Sequence, residues 1–242
     1  MRRWARRVHH ADMDTMERLF RGTVGYSAFW PLWDVRQAMR RVAPLCRGRV
    51  LDVGCGKQPY RDLLLAQSSV RSYEGVDRQP GPGVRYGLAE ALPCAEGVIH
   101  TLVCTEVLEH LPDPGAALRE FRRVLALSGV LIVTTPTCFP LHDRADFARY
   151  TEAGLQALVE AHGFRVFRHA ALGRASSTLT TLVGMTLEHW LYWTPLGYLC
   201  SFPLRPLLWL TLLLLNLLGG LGRWLPQAGL ASHALVVAVP VR

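Results

Sequence analysis

Lysine is almost missing from this sequence: Lys57 is the only one, and arginine supplies the rest of the 27 basic side chains. One interpretation is codon usage in a GC-rich genome. The other is attraction of the net charge of +8 to anionic lipid or to an anionic substrate. The sequence also has no stripe of basic residues interleaved with aromatic ones and no recognisable nucleic-acid-binding module. We therefore expect no nucleic-acid partner.

Paired cysteines are missing as well, and we expect no signal peptide. The six cysteines form no C-x-x-C pair and show no metal-ligand spacing, so we expect no metal site. They are typical of small buried residues in a reducing compartment. The first 14 residues carry the charge of a signal peptide without its apolar segment. We therefore expect a cytoplasmic protein.

Short apolar segments alternate with helical ones through the middle of the chain. This alternation predicts βαβ units and a mostly parallel sheet with helices on both faces. Asp113 and Thr151 are predicted to cap two of the helices. Strands are predicted at 49–54, 72–77, 100–107, 129–136, 164–172 and 233–242, with a short one after "QPGPG", and helices at 11–43, at 59–67 and after each cap.

The segment "VLDVGCGKQP" joins a buried strand to a helix through Gly54 and Gly56. Glycines at this place allow a tight turn and a close approach of a ligand to the backbone. Asp77 follows at the tip of the second strand, where an acid accepts hydrogen bonds from ribose hydroxyls. The pattern predicts a cofactor that contains a nucleoside. The third glycine of the dinucleotide motif is missing, which disfavours a dehydrogenase.

Several ordered motifs together resemble the class I S-adenosylmethionine-dependent methyltransferases. The motifs are "LDVGCGKQPY", "YEGVD", "LAEALPCAEGVIHTLVCTEVLEHLPDPGAALREFRRVLALSGVLIVTTPT" and "RYTEAGLQALVEAHGF". "LEH" after the fourth strand is similar to the small-molecule group of that family. The resemblance covers residues 45–172 and the last strand. It implies S-adenosylmethionine as cofactor and a Rossmann-like seven-stranded α/β fold, mostly parallel, with an antiparallel final strand.

The resemblance also implies roles for individual residues. Asp52 would lie near the amino end of the cofactor, and Asp77 would hold the ribose hydroxyls. Leu88 stands where the family usually has an acid that binds the adenine amino group. The residues implied in cofactor binding are Asp52, Gly54, Gly56, Asp77, Ala89, Glu90, Cys104 and Glu106.

Methyl transfer to an oxygen needs alignment of the reactants and usually the removal of a proton. The candidates for this catalytic role are His110, His142 and Asp143, since histidine titrates near neutral pH. His110 has an alternative role in orienting the loop after the fourth strand, and the other two are alternatively ordinary loop residues. Arg149 and Tyr150 are candidates to contact the acceptor, with packing and capping as the alternative.

The sequence predicts three parts. An N-terminal helical segment (1–44) precedes a cofactor domain (45–173 and 231–242), and a hydrophobic insertion (174–230) interrupts that domain between its last two strands. An antiparallel pair of final strands places both ends of the insertion on one side of a membrane, which excludes a single crossing. Its uncharged part, 206–222, would reach about 25 Å as a helix, less than a bilayer core of about 30 Å. Glu188 lies in its first half, and breaks are predicted at Pro195 and Pro203.

We therefore predict a methyltransferase held at the inner face of the cell membrane by a monotopic helical hairpin, with a hydrophobic or lipid-linked acceptor and O-methylation favoured. Arg174, Arg205 and Arg223 would lie near lipid headgroups. Two alternatives stay open. One is a soluble small-molecule methyltransferase in which the insertion forms a homodimer interface or a lid. The other is a catalytically inactive, membrane-bound protein that binds the cofactor.

Overall fold

The computed structural model describes residues 28–79, 81–141, 143, 145–193, 195–224 and 229–241. They fall into two compact units. The sheet unit comprises the described residues of 35–172 and 232–241, and the hairpin unit those of 28–34 and 173–231. The part of the predicted N-terminal helix before residue 28 lies outside the described residues.

Seven strands form one sheet in the described part of the sheet unit, in the order β3-β2-β1-β4-β5-β7-β6. Strand β7 runs antiparallel to its neighbours β5 and β6, and the other strand pairs are parallel. This confirms the predicted sheet. The strands are β1 (Gly48–Val53), β2 (Val70–Asp77), β3 (Val84–Tyr86), β4 (Ile99–Thr105), β5 (Leu125–Pro136), β6 (Phe164–Leu172) and β7 (His233–Pro240).

Helices cover both faces of this sheet. On one face, Phe121 and Val159 pack against the strands, and on the other face Met39 and Leu64 do so. These residues come from four different helices. The helices are α1 (Phe29–Val42), α2 (Arg61–Leu65), α3 (Pro114–Val124) and α4 (Glu152–Glu160), with a 3₁₀ turn at Leu108–His110.

The two predicted helix caps are confirmed. The Asp113 carboxylate accepts a hydrogen bond from the Ala116 N–H (3.1 Å), and the Thr151 hydroxyl accepts one from the Gly154 N–H (3.0 Å). Strand β4 ends at Thr105, two residues before the predicted end. The reason is Glu106, whose φ of 56° belongs to the left-handed region and interrupts an extended strand.

Two helices, α5 (Ala175–Trp193) and α6 (Pro195–Leu221), lie between β6 and β7 and confirm the predicted helical insertion. The predicted break at Pro203 is wrong, because α6 continues through it. A proline inside a helix removes one backbone hydrogen bond and its ring crowds the carbonyl four residues earlier, at a cost of about 3 kcal/mol. The remaining bonds of this long helix and its packing against α5 outweigh that loss.

An ion pair connects the end of α6 to the start of α1 within the hairpin unit. The Arg223 guanidinium donates to both carboxylate oxygens of Asp34 at 2.5 and 3.0 Å and lies over the Trp30 ring at 4.7 Å. The Trp30 indole N–H in turn donates to the Asn216 carbonyl (2.8 Å). Arg223 was predicted near lipid headgroups; in the structure its charge is paired inside this unit.

Candidate active site

The glycine segment after β1 forms a narrow loop at the carboxyl edge of the sheet. Gly54 has a φ of +68°, and a Cβ atom there would lie 2.2 Å from Val107 Cγ2. Gly56 also has a positive φ, but a Cβ atom there would meet nothing within 4 Å. The first glycine therefore permits a close backbone contact, whereas the second leaves open space beside the loop.

Asp77, at the end of β2, holds this loop. Its Oδ2 accepts a hydrogen bond from the Gly56 N–H (3.0 Å), and its Oδ1 accepts one from the Gln79 N–H (2.8 Å). Each carboxylate oxygen has two lone pairs, so each keeps one for a ligand hydroxyl. The structure thus brings Gly56 and Asp77 together at the place where a ribose was predicted.

Asp52 is a buried carboxyl group on β1, and it is only half satisfied. The Tyr73 hydroxyl donates to its Oδ2 at 2.6 Å, while its Oδ1 has no hydrogen-bond partner among the described residues. Burial raises the pKa of Asp52 to about 7, although the Tyr73 hydrogen bond opposes this shift. A buried carboxyl oxygen without a partner is well suited to a cationic amino group.

These residues fit S-adenosylmethionine. Asp52 would face its charged amino group, the loop at Gly54 and Gly56 its methionine part, and Asp77 its ribose. On the predicted adenine side, Ala89 is buried and Glu90 is half-buried, while Leu88 is exposed. Cys104 is fully buried, and burial raises its pKa well above the ordinary value, which keeps the thiol neutral beneath the site.

Glu106 connects three neighbouring strands. Its N–H donates to the Thr134 carbonyl (3.0 Å) on β5, and its Oε1 accepts a hydrogen bond from the Thr134 hydroxyl (2.7 Å). Its Oε2 lies 3.0 Å from Nε2 of His233, the first residue of β7. Sequence reasoning missed both partners. They belong to strands distant in the chain, and no local pattern connects them to Glu106.

The "LEH" motif forms the 3₁₀ turn after β4. Nδ1 of His110 carries a proton, because it lies 2.5 Å from the Ala145 carbonyl oxygen, which can only accept. Nε2 of His110 lies 3.6 Å from Glu109 Oε1. The Glu109 carboxyl is fully buried, and this burial, together with the nearby Glu106 carboxylate, raises its pKa well above the ordinary value. Glu109 is therefore neutral near pH 7.

Arg149 and Tyr150 belong to the segment between β5 and α4. The Arg149 guanidinium pairs with the buried Asp146 carboxylate (Nη2 to Oδ2, 2.7 Å) and donates to the Phe139 and Pro140 carbonyls at 3.0 and 2.9 Å. The Tyr150 N–H donates to the Pro136 carbonyl (3.2 Å), and its side chain packs on the core. Both residues thus hold this segment in shape, and their contact with an acceptor stays a prediction.

The remaining candidates are less fully defined. Asp143 lies 3.7 Å from the Arg78 guanidinium, and both side chains are exposed. His142 lies outside the described residues. Among the residues that the structure describes, no three histidine, cysteine, aspartate or glutamate side chains are grouped to hold a metal ion. The catalytic assignments of His110, His142 and Asp143 stay predictions.

Comparison with known proteins agrees with this geometry. A family model described as "Methyltransferase domain" matches residues 33–210. The chain is 31% identical over 150 residues to a probable S-adenosylmethionine-dependent methyltransferase of Mycolicibacterium smegmatis, covering 52% of this chain and 56% of that protein. It is 28% identical over 149 residues to a ubiquinone biosynthesis O-methyltransferase of Pseudomonas aeruginosa, covering 53% of this chain and 63% of that protein. The chain thus spans less than two thirds of the length of these relatives.

A solved structure shares the fold. It is the Burkholderia thailandensis 1,6-didemethyltoxoflavin-N1-methyltransferase with bound 1,6-didemethyltoxoflavin and S-adenosylhomocysteine. Its TM-score to this chain is 0.52 at 16% identity, over 96% of this chain and 90% of that one. S-adenosylhomocysteine is what remains of S-adenosylmethionine after its methyl group has left.

Proposed function

The chain belongs to the methyltransferase domain family, whose cofactor is S-adenosylmethionine, and we propose that it methylates a hydroxyl of a hydrophobic or lipid-linked small molecule at a membrane surface. The observation that carries the methyltransferase part is the cofactor site. It combines Asp52 Oδ1, which has no hydrogen-bond partner within the described ranges, the open space at Gly56 and the anchored Asp77 carboxylate. When bound, the cofactor supplies a methyl group activated by a sulfonium. The protein must then align the acceptor and remove its proton.

Methylation of oxygen has two supports. One curated relative is a ubiquinone biosynthesis O-methyltransferase. In addition, carboxylates and histidines surround the end of β4, where Glu106, Glu109, His110 and His233 lie. A hydroxyl acceptor needs such groups, because its proton must be removed near neutral pH.

The exposed surface of α6 supports action at a membrane. Among the described residues, one helix is long and apolar enough to cross a bilayer, with a window at Leu207–Trp224 of mean hydropathy 1.5, only 17% of which is buried. Trp224 is 91% exposed. Among the side chains of α6 that the structure describes, from residue 207 onwards, the exposed leucines are Leu207, Leu210, Leu214, Leu217, Leu218 and Leu221. So large an apolar surface needs a lipid or protein partner.

A monotopic position fits the topology best. The 27 residues of α6 reach about 40 Å, so its length alone would allow a crossing. However, β6 and β7 pair directly, so the chain must return to the side from which it left. A second crossing would have to use α5, which carries Glu188, and a charge in the bilayer centre costs about 3 kcal/mol. We therefore place both helices flat in one leaflet, at the cytoplasmic face.

The activity is tested with S-adenosylmethionine that carries a trideuterated methyl group and with dodecyl gallate, a phenol with a long alkyl chain, in lipid vesicles. Mass spectrometry is expected to find a trideuteromethyl ether with the wild-type chain and little with Asp77→Ala. The control is Asp62→Ala, whose carboxylate is 97% exposed on α2. An unmethylated phenol with cofactor-bound wild-type chain would contradict the proposed acceptor class and favour the inactive, cofactor-binding alternative.

The membrane part is tested by flotation with vesicles that contain anionic lipid. Replacing Leu207, Leu214 and Leu218 together by glutamine is expected to abolish flotation. The control replaces Leu127 and Leu141, two exposed leucines of the sheet unit, in the same way. A wild-type chain that stays with the soluble fraction as a dimer, and becomes monomeric in the triple variant, would instead show a homodimer interface.

A further inference from the structure

The pair formed by Glu106 and His233 lies at the carboxyl edge of the parallel strands, on the side of β1 away from Asp77. Asp77 is on β2, so the ribose would lie on one side of β1. Glu106 follows β4 and His233 opens β7, which are on the other side of β1 in the strand order. Because all these positions are at the carboxyl edge of the parallel strands, the pair flanks the methionine end of the cofactor site.

Both residues of the pair are firmly held. Glu106 has a φ of 56°, which is uncommon for a residue with a side chain, and its two hydrogen bonds with Thr134 keep it there. Backbone strain of this kind is concentrated at functional sites. His233 pairs with Pro136 on β5 and with Leu172 on β6, so its backbone is fixed from both sides.

The imidazole of His233 has one engaged and one unengaged nitrogen. Its side chain is only 6% exposed, and Nε2 faces the Glu106 carboxylate. A carboxylate accepts, so Nε2 carries the proton of the neutral ring, and Nδ1 carries a lone pair. Nδ1 is buried and finds no hydrogen-bond partner in the part of the chain that the structure describes. A lone pair left without a donor inside a protein indicates a site for a ligand hydroxyl.

The surroundings of His233 suit an acceptor that carries a hydroxyl on an apolar ring. The Phe139 ring lies 5.5 Å from the imidazole and comes from the segment that Arg149 holds in shape. Glu106 is the ionisable group that contacts the imidazole. Glu109 and Arg149 in turn interact electrostatically with Glu106. Glu109 is neutral near pH 7, so Glu106 supplies the negative charge next to the imidazole.

We propose that His233 is the general base of the reaction and that Glu106 is its positioning residue. This rests on the proposed O-methylation. The acceptor oxygen forms a bond to the methyl carbon, and the carbon–sulfur bond breaks with its electron pair going to sulfur. The hydroxyl proton moves to Nδ1 of His233. The imidazolium that forms is stabilised by the Glu106 carboxylate, and it later releases the proton to water.

The test is the rate of methylation of dodecyl gallate in vesicles, measured from about pH 6 to about pH 9 for the full chain and its variants. Wild type is expected to gain activity as a single base loses its proton. His233→Gln keeps a donor for Glu106 but lacks the base, so its rate is expected to fall about 100- to 10,000-fold and to lose that pH dependence. Glu106→Gln is expected to lower the rate of methylation less than His233→Gln does. Its rate is expected to rise at a lower pH than that of wild type, because the imidazolium loses its neighbouring negative charge.

His169→Gln is the matched control. His169 also pairs with a carboxylate, Glu152, and lies on β6 in the same sheet unit, but it is half exposed and away from the site. Its rate is expected to equal that of wild type. Calorimetry with S-adenosylhomocysteine must show unchanged cofactor binding in His233→Gln and His169→Gln, which separates a lost base from a misfolded site. Because Glu106 is itself implied in cofactor binding, the rate of Glu106→Gln is measured at saturating cofactor.

The outcomes distinguish the two proposals. Wild-type activity that persists in His233→Gln overturns the base assignment and leaves the proposed function intact. A wild type that binds cofactor but does not methylate the phenol contradicts the acceptor class. In that case ¹⁵N NMR of the histidine rings still tests the pairing of His233 with Glu106. A proton found on Nε2 of neutral His233 supports the inference, and a proton found on Nδ1 overturns it.

Discussion

Gly54 and Val107 touch so closely that a Cβ atom on residue 54 would lie 2.2 Å from Val107 Cγ2. This contact joins the glycine loop after β1 to the turn after β4, the two elements that carry most of the predicted cofactor residues. Gly54 also has a φ of +68°, which disfavours any side chain. The position of the loop therefore depends on glycine for two independent reasons.

Gly54→Ala is expected to lower the free energy of unfolding by about 2–5 kcal/mol. About 1–2 kcal/mol comes from the left-handed backbone and about 1–3 kcal/mol from crowding against Val107. Denaturant unfolding of the ligand-free chain measures this. Gly97→Ala is a matched control, because Gly97 has the same φ of +68° and a Cβ atom there would meet nothing within 4 Å. Equal losses in the two variants would show that Val107 is not the cause.

Cofactor affinity is expected to rise with pH through the raised pKa of Asp52, about 7. The charged amino group of the ligand favours ionised Asp52, so below that pKa binding must first remove a proton. S-adenosylhomocysteine is therefore expected to bind about 5- to 10-fold more weakly at about pH 6 than at about pH 7.5. Calorimetry at the two pH values measures this. Asp52→Asn should bind the ligand more weakly at both pH values, and its affinity should be the same at the two. A wild type whose affinity does not change between the two pH values would contradict the placing of Asp52 at the amino group.

Ligand-free stability is expected to change in the opposite direction. Folded Asp52 holds its proton up to about pH 7, whereas the unfolded chain releases it near pH 4. The unfolded state thus binds fewer protons between these values, and the free energy of unfolding falls as pH rises across them. Thermal unfolding of wild type and Asp52→Asn should converge at low pH, with the variant more stable near pH 8. A wild type that gains stability relative to Asp52→Asn across this range would refute the raised pKa.

Arg223 is expected to stabilise the end of α6 through Asp34. The Asp34 side chain is 8% exposed, so Arg223→Leu leaves a buried carboxylate without its charge partner. Loss of one partner of such a pair costs about 3 kcal/mol, and hydrogen exchange should show early opening of the end of α6. The double variant Asp34→Leu with Arg223→Leu is expected to recover part of the protection. Unchanged exchange in Arg223→Leu would mean that the pair contributes nothing.

Leu88→Asp is expected to strengthen cofactor binding. Leu88 is 44% exposed and stands where the resemblance in sequence implies an acid. A carboxylate there would accept a hydrogen bond from the adenine amino group, worth about 1 kcal/mol or about a fivefold gain in affinity. Leu141→Asp, at another exposed leucine, controls for the added charge. If both variants bind equally, adenine does not lie beside residue 88.

The cofactor side of the site could be predicted because its signals are local in sequence. Gly54, Gly56 and Asp77 belong to one strand–loop–strand unit, and their spacing alone predicts that they meet at the sheet edge. His233 could not be predicted, because its contact with Glu106 depends on β7 inserting between β5 and β6. The pairing of Asp34 with Arg223 could not be predicted either, because the two residues are 189 positions apart in the chain. Pro203 was misinterpreted because propensity alone does not include the packing of α5 on α6.

The central claim is that the loop at Gly54–Gly56 and the Asp77 carboxylate hold S-adenosylmethionine, and calorimetric titration of the full chain with this cofactor tests it most directly. We predict saturable binding to one site, weakened about tenfold or more by Asp77→Ala and unchanged by Asp62→Ala. A wild-type chain that releases no binding heat and shows no rise in melting temperature with the cofactor would contradict the account.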